Sequence, residues 1–449
     1  FRRLSTFRPS IRPAQHTNIP TPRSDLSMPP SATTSTQGDK KVDPRGDHRY
    51  AKNTPGVAPG KEPYVYQGSK DSKIEDYDVV VVGAGLSGAI IGRRFAEEQG
   101  KKVLIVEKRA HIGGNCFDYI DEETGILMNQ YGAHLFFTDH QDVYDYICKF
   151  AKWKRWEHQV VGMIDGQFCC IPPNITTINM VCNQNIKTIE QMDKWLAENR
   201  VKYDKITNGE EMAKSRVGEV LYEKIFKHYT YKQWQKWPRD IAPEVFARLP
   251  ARNDYDTRYK NRTYQCLPEE GYTPFFVNLL KHDNVDVHLN TDFFALKDKI
   301  PKGKIIIYTG PVDYYFASLG FEKLEYRSIR FHIERKMNYG FYQPNSVVNY
   351  PGPEVDFTRI VEYKHFLNQK SPHTIIVKET TTDEGDPYYP VLNDRNKALF
   401  QKYKKLADQE KDVHFVGRLA NYKYFDMEAA IKNALDYFND HFGKENKQS

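Results

Sequence analysis

Asp78-Val79-Val80-Val81-Val82-Gly83-Ala84-Gly85-Leu86-Ser87-Gly88 decides how this chain folds. Four valines in a row read as a strand buried on both faces of a parallel sheet, since a half-exposed strand alternates apolar and polar residues. The glycines after them have G-x-G-x-x-G spacing and form a turn. Further out, Ala89–Gln99 is helical in composition, with Ile90, Ile91 and Phe95 apolar and Arg93, Arg94, Glu97 and Glu98 exposed. Lys102-Val103-Leu104-Ile105-Val106 is a second strand, ended by Glu107 about 20 residues after the glycines. In such a strand–helix–strand unit Gly83 allows the tight turn, Gly85 lets backbone approach a pyrophosphate, and Gly88 lets helix and strand pack closely. The helix start, with Ser87 in its first turn, offers free N–H groups and positive potential to phosphates. Glu107 would accept hydrogen bonds from ribose hydroxyls.

The residues after the second strand select the dinucleotide. Glu107-Lys108-Arg109 runs into Gly113-Gly114-Asn115. An acidic strand end followed by a second glycine loop is the pattern of flavoproteins of the glutathione-reductase and amine-oxidase type, whereas a nicotinamide enzyme has no need of that loop. Near the other end, Gly417-Arg418 follows the strand Val413-His414-Phe415-Val416 and precedes Tyr422–Met427. There such flavoproteins return a late strand and helix to the pyrophosphate and the isoalloxazine. FAD is the expected cofactor.

The 449 residues divide unevenly in charge. Residues 1–74 hold 10 of the 25 prolines and 13 Lys+Arg against 6 Asp+Glu, which leaves 52 against 53 for the remainder. The folded part is therefore nearly neutral and lacks the clustered positive charge of a nucleic-acid-binding body. The first 74 residues read as a disordered Pro/Ser/Thr-rich basic extension, too poor in apolar side chains to offset chain entropy. Arg2, Arg3, Arg8, Arg12 and Arg23 precede the first acidic residue, Asp25. An acid-poor, Arg-rich start resembles an organelle transit peptide; it also reads as a plain basic linker. The longest apolar stretch, Val79–Gly92, is too short for a transmembrane helix. Six cysteines without C-x-x-C or Cys/His metal spacing read as reduced thiols in a cytoplasmic setting, with no metal site.

Past the first unit, Ile189–Trp237 turns helical and strongly aromatic, and strand-like runs recur at Val285–Leu289, Ile305–Tyr308, Arg327–Glu334 and Thr374–Val377. Met427–Phe442 is a closing amphipathic helix. Strands and helices mix throughout, so the expected class is α/β with an α+β insertion.

Six further motifs occur in order: Tyr131-Gly132-Ala133-His134, Tyr229-Thr230-Tyr231-Lys232-Gln233-Trp234, Arg248-Leu249-Pro250-Ala251-Arg252, Tyr308-Thr309-Gly310-Pro311, Glu325-Tyr326-Arg327-Ser328 and Gly417-Arg418-Leu419-Ala420-Asn421-Tyr422-Lys423-Tyr424-Phe425-Asp426-Met427. Together they resemble the UDP-galactopyranose mutases of bacterial type, from about Tyr77 to Phe442. The resemblance implies a Rossmann-like FAD-binding domain (75–155 and 401–449) with an inserted helical domain that binds uridine (186–250) and a layered antiparallel sheet domain with returning strands (156–185 and 251–400). It implies an isomerase that interconverts UDP-galactopyranose and UDP-galactofuranose, a glycan precursor, by a redox-neutral reaction through a sugar adduct on N5 of reduced FAD; a homodimer is compatible with it. Tyr229 then stacks on uracil, with Phe226 three residues away on the same helix face. Thr230 and Asn174 join that substrate side, and Trp234 lies on a mobile loop over the nucleotide. Arg248 and Arg327 grip the diphosphate, a task suited to a planar, permanently charged fork. Tyr259 and Tyr424 contact the diphosphate and sugar. His134, Leu135, Asp292, Phe293, Arg418, Phe425, Asp426 and Met427 line the cofactor, together with Lys108 and Asn115 beside the glycine loops. Arg248, Arg327, Tyr424 and His134 are the expected catalytic set.

Two positions depart from the family pattern. A second histidine usual three residues after His134 is Phe137, and a tyrosine usual before Thr-Arg is Phe357 in Asp356-Phe357-Thr358-Arg359. A hydrogen bond near the flavin and one to phosphate are thereby in question. The readings that compete with the mutase are a flavin-dependent oxidoreductase of the amine-oxidase type and an inactive UDP-sugar-binding relative.

Overall fold

The computed structural model describes residues 73–246 and 251–443. The expectations for residues 1–72, and for Arg248, lie outside the described residues.

The valine strand Val79–Val82 becomes the middle of a five-stranded parallel sheet, in the order Val285–His288, Val103–Val106, Val79–Val82, Ile305–Tyr308, Val413–Phe415. Val79 lies opposite Val103 on one side and Ile305 on the other. Its valines are buried because both faces are covered, which is what the uninterrupted apolar run required. The helix Leu86–Gln99 buries Ala89, Ile90, Ile91 and Phe95 and stops at Gly100, whose φ of 65° suits a glycine after a helix end. Phe95 meets Phe438 and Phe442 of the closing helix Met427–Phe442 at centroid distances of 5.0 and 4.7 Å. Arg94 lies over Phe438 at 4.2 Å and donates to the Leu435 carbonyl. Every carboxyl end of this sheet faces the glycine turns, the usual place for a ligand in open α/β sheets.

A second sheet runs Tyr389–Pro390, Tyr326–Lys336, Thr374–Thr382, Arg359–Glu362, Val347–Asn349, Val160–Ile164, Gln167–Ile171. Its pairs are antiparallel, as the family resemblance implies, except that Val347–Asn349 lies parallel to Val160–Ile164. The exception arises because the last two strands come from a hairpin much earlier in the chain. Helices Ile189–Asn199 and Gly209–Leu221 bury Met192, Leu196, Val217 and Leu221 in a second core, distinct from the one around Phe95, with Val160, Ile171, Val361 and Val377 of that sheet.

From Gly209 the helical chain continues through a π turn, Tyr222–Lys227, into His228–Trp234, which ends at Gln235 in the left-handed region. The wider π turn breaks the three-residue alignment expected of Phe226 and Tyr229. Phe226 is buried in the core, whereas Tyr229 keeps accessible surface, so the two rings differ in environment. All six cysteines are unpaired. Among the described residues no helix is long and apolar enough to cross a membrane.

Candidate active site

Two glycine loops meet at the end of the valine strand. The Cα atoms of Gly85 and Gly114 are so close that a Cβ on Gly114 would lie 3.0 Å from Gly85 Cα. Gly113 and Gly114 have φ of 89° and 55°, and Gly83 has 103°, all in the region that favours glycine. Gly85 is the N-cap of Leu86–Gln99 and supplies no side-chain hydrogen bond, so its first-turn N–H groups are uncapped by any side chain. Glu107 is buried; its carboxylate accepts from Ala84 N and Arg109 N, both at 2.9 Å, and thereby ties the first loop to the second strand. Each carboxylate oxygen retains acceptor capacity for a ribose hydroxyl. Gly417 closes the cradle from the other end: a Cβ there would lie 2.8 Å from Ser87 Oγ. A bare helix start, two side-chain-free loops and an acidic strand end fit the diphosphate and ribose of a dinucleotide.

Around this cradle the expected cofactor residues take definite posts. Asn115 Oδ1 accepts from Arg109, which also pairs with Asp386 at 3.1 Å and lies 4.4 Å over Tyr131. Lys108 follows the strand end, and burial of its ammonium lowers its pKa. His134 is held by Gly132, whose carbonyl accepts from Nδ1 at 2.8 Å; burial drops its pKa to about 4, so it is a neutral ring with Nε2 as an acceptor. Arg418 donates to the carbonyls of Phe425 and Tyr388 and lies 5.5 Å over the rings of both Tyr389 and Tyr424. Asp426 caps the closing helix through Ala429 N, beside buried Met427. Leu135 packs against the second core, Asp292 caps a short turn through Phe294 N, and the Phe293 ring is buried in a third core with Tyr308. At the first departure, Phe137 carries Lys260 over its ring at 5.3 Å, and Lys260 pairs with Asp426 at 3.1 Å.

Next to the cradle is a polar cleft. Tyr229, Tyr259 and Tyr389 keep accessible surface, yet burial raises all three phenol pKa values, that of Tyr389 to about 12. All three are partly exposed yet surrounded by protein, and the charge of Arg359 acts on each phenol. Tyr389 stacks on Tyr424 at 5.4 Å. Arg359 and Glu379 face each other across two strands, Nε to Oε2 at 2.6 Å. Sequence reasoning passed over both, because an arginine between Thr358 and Ile360 looks like an ordinary surface residue of a strand. His158, buried behind Tyr259 with ring centroids 5.9 Å apart, was also missed.

The helix His228–Trp234 is tied down over this cleft. Lys232 Nζ donates to four carbonyls, those of Tyr350, Gly352, Phe357 and Val355, at 2.5, 2.7, 3.0 and 3.3 Å. Arg327 is buried and donates to Gln233 O at 3.3 Å and to Thr381 Oγ1 at 3.2 Å; Thr381 in turn donates to Lys232 O. These bonds satisfy carbonyls left open at the helix end. Trp234 packs against the second core, and Thr230 is buried. Phe357 meets Tyr350 edge-on at 4.9 Å and lies under Lys378 at 5.8 Å. Lys378 and Glu379 point to opposite faces of their strand, so Phe357 packs away from the Arg359–Glu379 pair. Asn174, expected among the substrate contacts, has no accessible surface: it caps its own helix through Thr177 N and donates to Asp256 O. A separate cavity of about 480 Å³, lined by Asp193, Arg200, Arg252, Asn253 and Asp254, shares no residue with this cleft.

Such a cradle defines a dinucleotide-binding protein, and a family model described as an NAD(P)-binding Rossmann-like domain matches residues 81–150. The fold is that of the crystal structure of reduced UDP-galactopyranose mutase, with a TM-score of 0.63 at 16% identity, covering 81% of this chain and 95% of that one. A model described as UDP-galactopyranose mutase matches residues 224–424. The chain is 34% identical over 362 residues to a probable UDP-galactopyranose mutase of Klebsiella pneumoniae, covering 80% of this chain and 93% of the relative. It is 34% identical over 366 residues to a dTDP-fucopyranose mutase of Escherichia coli, covering 80% and 96%. It is 32% identical over 386 residues to a UDP-galactopyranose mutase of Mycoplasma pneumoniae, covering 80% and 94%. The chain belongs to the UDP-galactopyranose mutase family and is an isomerase-type enzyme.

Proposed function

We propose that the protein interconverts UDP-galactopyranose and UDP-galactofuranose and uses reduced FAD to do so. The observation that carries this reading is the junction of the two: a dinucleotide cradle opening onto a cleft walled by phenols and a guanidinium. When bound, the reduced flavin would supply a nucleophilic nitrogen that is regained at the end of the cycle, so substrate and product have the same oxidation level. The chain's own residues bind and orient. Gly85, Gly114 and the uncapped helix start would hold the cofactor diphosphate, and Glu107 its ribose. His134, Arg418 and Asp426 would border the isoalloxazine, with Nε2 of neutral His134 as an acceptor. Tyr229 would carry the uracil, and Arg327 with Arg248 the diphosphate, whose charge grows as it departs. Tyr259, Tyr389 and Tyr424 would present hydroxyls to the sugar end; the raised pKa values of Tyr229, Tyr259 and Tyr389 keep those three phenols as donors at neutral pH. The helix His228–Trp234 would cover the nucleotide and keep water out.

The test is anaerobic incubation of reduced protein with UDP-galactofuranose, with products resolved by chromatography and flavin redox state followed by absorbance. Pyranose formation without flavin oxidation supports the mutase. A parallel aerobic incubation of protein carrying oxidised flavin tests the competing reading: oxidised sugar with O₂ uptake there would support an amine-oxidase-type reaction, and nucleotide-sugar binding without turnover in either incubation an inactive relative. A parallel incubation with dTDP-fucofuranose tests the substrate of the Escherichia coli relative; faster turnover there would transfer the assignment to that nucleotide-sugar.

A further inference from the structure

We propose that Arg359, held in place by Glu379, recognises the hydroxyls of the hexose in the bound nucleotide-sugar, an inference that rests on the proposed function of the site. Arg359 opens the strand Arg359–Glu362 and lies in register with Glu379 on the neighbouring strand. Its Nε donates to Glu379 Oε2 at 2.6 Å. A guanidinium has five N–H donors, so four remain. Glu379 is 3% exposed, whereas 28% of the Arg359 side chain is accessible. The carboxylate is therefore sealed behind the arginine, and the free edge of the guanidinium faces the cleft. Arg359 stands between the two halves of the site: after burial, its charge acts most strongly on the phenols of Tyr229 and Tyr259, and it also reaches His134.

Charge decides which part of the ligand this edge suits. Arg359 and Glu379 together are neutral, so the pair gives little net attraction to a phosphate anion. It does give directed, polarised donors in a dry site, which neutral hydroxyl oxygens need. Arg327 is the contrasting case: among the described residues its hydrogen bonds reach no carboxylate, and it donates to Gln233 O and Thr381 Oγ1. Two arginines thus divide the work, one for the diphosphate and one for the sugar.

The experiment compares UDP with UDP-galactose as ligands of the flavin-loaded protein, by calorimetry, for wild type, Arg359→Gln, Arg359→Lys and Glu379→Gln. Because Arg359→Gln leaves Glu379 buried without its partner, the double variant Arg359→Gln/Glu379→Gln is measured beside it, and flavin content is checked in each. Arg359→Gln and the double variant are expected to bind UDP as wild type does and UDP-galactose about 10- to 100-fold more weakly, the scale of a hydrogen bond to a charged group. Arg359→Lys is expected to restore little, since a single ammonium cannot span two hydroxyls as a planar fork does. Glu379→Gln leaves an uncompensated cation, so UDP should bind more tightly while the preference for the sugar falls; a purely structural role would not produce that inversion. Equal weakening of UDP and UDP-galactose in Arg359→Gln would make Arg359 a phosphate ligand and overturn the proposal. Unchanged binding of both ligands by the variants overturns it alone, whereas wild-type protein that binds neither ligand overturns the functional reading as well.

Discussion

Alanine at Gly85 and alanine at Gly88 should fail in different ways, although both glycines belong to one motif. A Cβ at Gly88 would lie well inside 3.0 Å of the Gly83 carbonyl oxygen, 3.2 Å from its carbon and 3.1 Å from Val81 Cγ1. The obstacle is backbone, so the helix must move off the strand. Such overpacking costs about 1–3 kcal/mol, against which better helix propensity returns less than about 1 kcal/mol. At Gly85 the same Cβ would sit 3.7 Å from Gly114 Cα, an ordinary contact, and its φ of −82° is one any residue adopts. Alanine there should leave the cofactor-free protein unchanged, or raise its stability by about 0.4–1 kcal/mol by restricting the unfolded chain. What it occupies is the concavity where the cofactor diphosphate must touch backbone. Gly85→Ala is therefore expected to fold normally and lose flavin, and Gly88→Ala to melt several degrees lower even without flavin. Thermal unfolding of cofactor-free protein, together with visible flavin absorbance after reconstitution, reads both effects. Gly85→Ala with full flavin content, or Gly88→Ala melting with wild type, would contradict this account of the two glycines.

Lys232→Met should release the segment 350–357, because four carbonyls lose a shared cation; at about 2 kcal/mol, amide hydrogen exchange there should quicken about 30-fold, and unchanged exchange would show that the lysine does not hold the segment. Arg327→Ala should weaken UDP binding about 10- to 100-fold with flavin content intact, with little recovery in Arg327→Lys, as measured by titration. Stability should fall as pH drops through 5. Burial holds His111, His134 and His158 neutral down to about 3, 4 and 3, so the unfolded chain binds three protons there that the folded one does not. Burial raises Asp118 and Asp313 to about 6, so the folded chain keeps two that the unfolded one loses. Three less two leaves about one proton taken up on unfolding, a loss of about 1.4 kcal/mol per pH unit from these five groups; denaturant melts at pH 5 and 6 check the sign.

The parts of the fold legible in the sequence were those in which one local pattern has one physical meaning. Four valines before a glycine turn can hardly be anything but an interior parallel strand, and Glu107 and Gly113-Gly114 extend that reading to a dinucleotide. Sheet order was not legible: nothing local tells Val79–Val82 that Ile305–Tyr308 will lie beside it, or Val347–Asn349 that its parallel neighbour is Val160–Ile164. A shared face for Phe226 and Tyr229 requires a regular α-helix, and a π turn has no clear signature in a single sequence. Asn174 was carried over from the resemblance, yet its side chain is spent on capping. Arg359 and Lys232 stayed hidden for a different reason. Their partners, Glu379 and the carbonyls of 350–357, are distant in sequence, and a lone cation between apolar or aromatic residues looks the same whether it faces water or a cleft.

The order of strands in the parallel sheet also governs how the molecule can be made. Its central strand begins at Val79, one of its two edge strands is Val413–Phe415, and the ring contacts of Phe95 with Phe438 and Phe442 form only when the last helix arrives. Roughly 360 residues separate the first glycine of the turn from the end of the closing helix, and at about 5–20 residues per second a ribosome needs on the order of 20–70 s to deliver them. Throughout that interval the nascent chain has an unpaired strand edge and an uncovered phenylalanine face. The cofactor cradle lacks its Gly417 side for most of the same time. Filling of that cradle is thus a late event in biosynthesis, and a chain that terminates just before Met427 has all five strands of the sheet but leaves the Phe95 side of its first helix without the closing helix, an apolar surface open to aggregation.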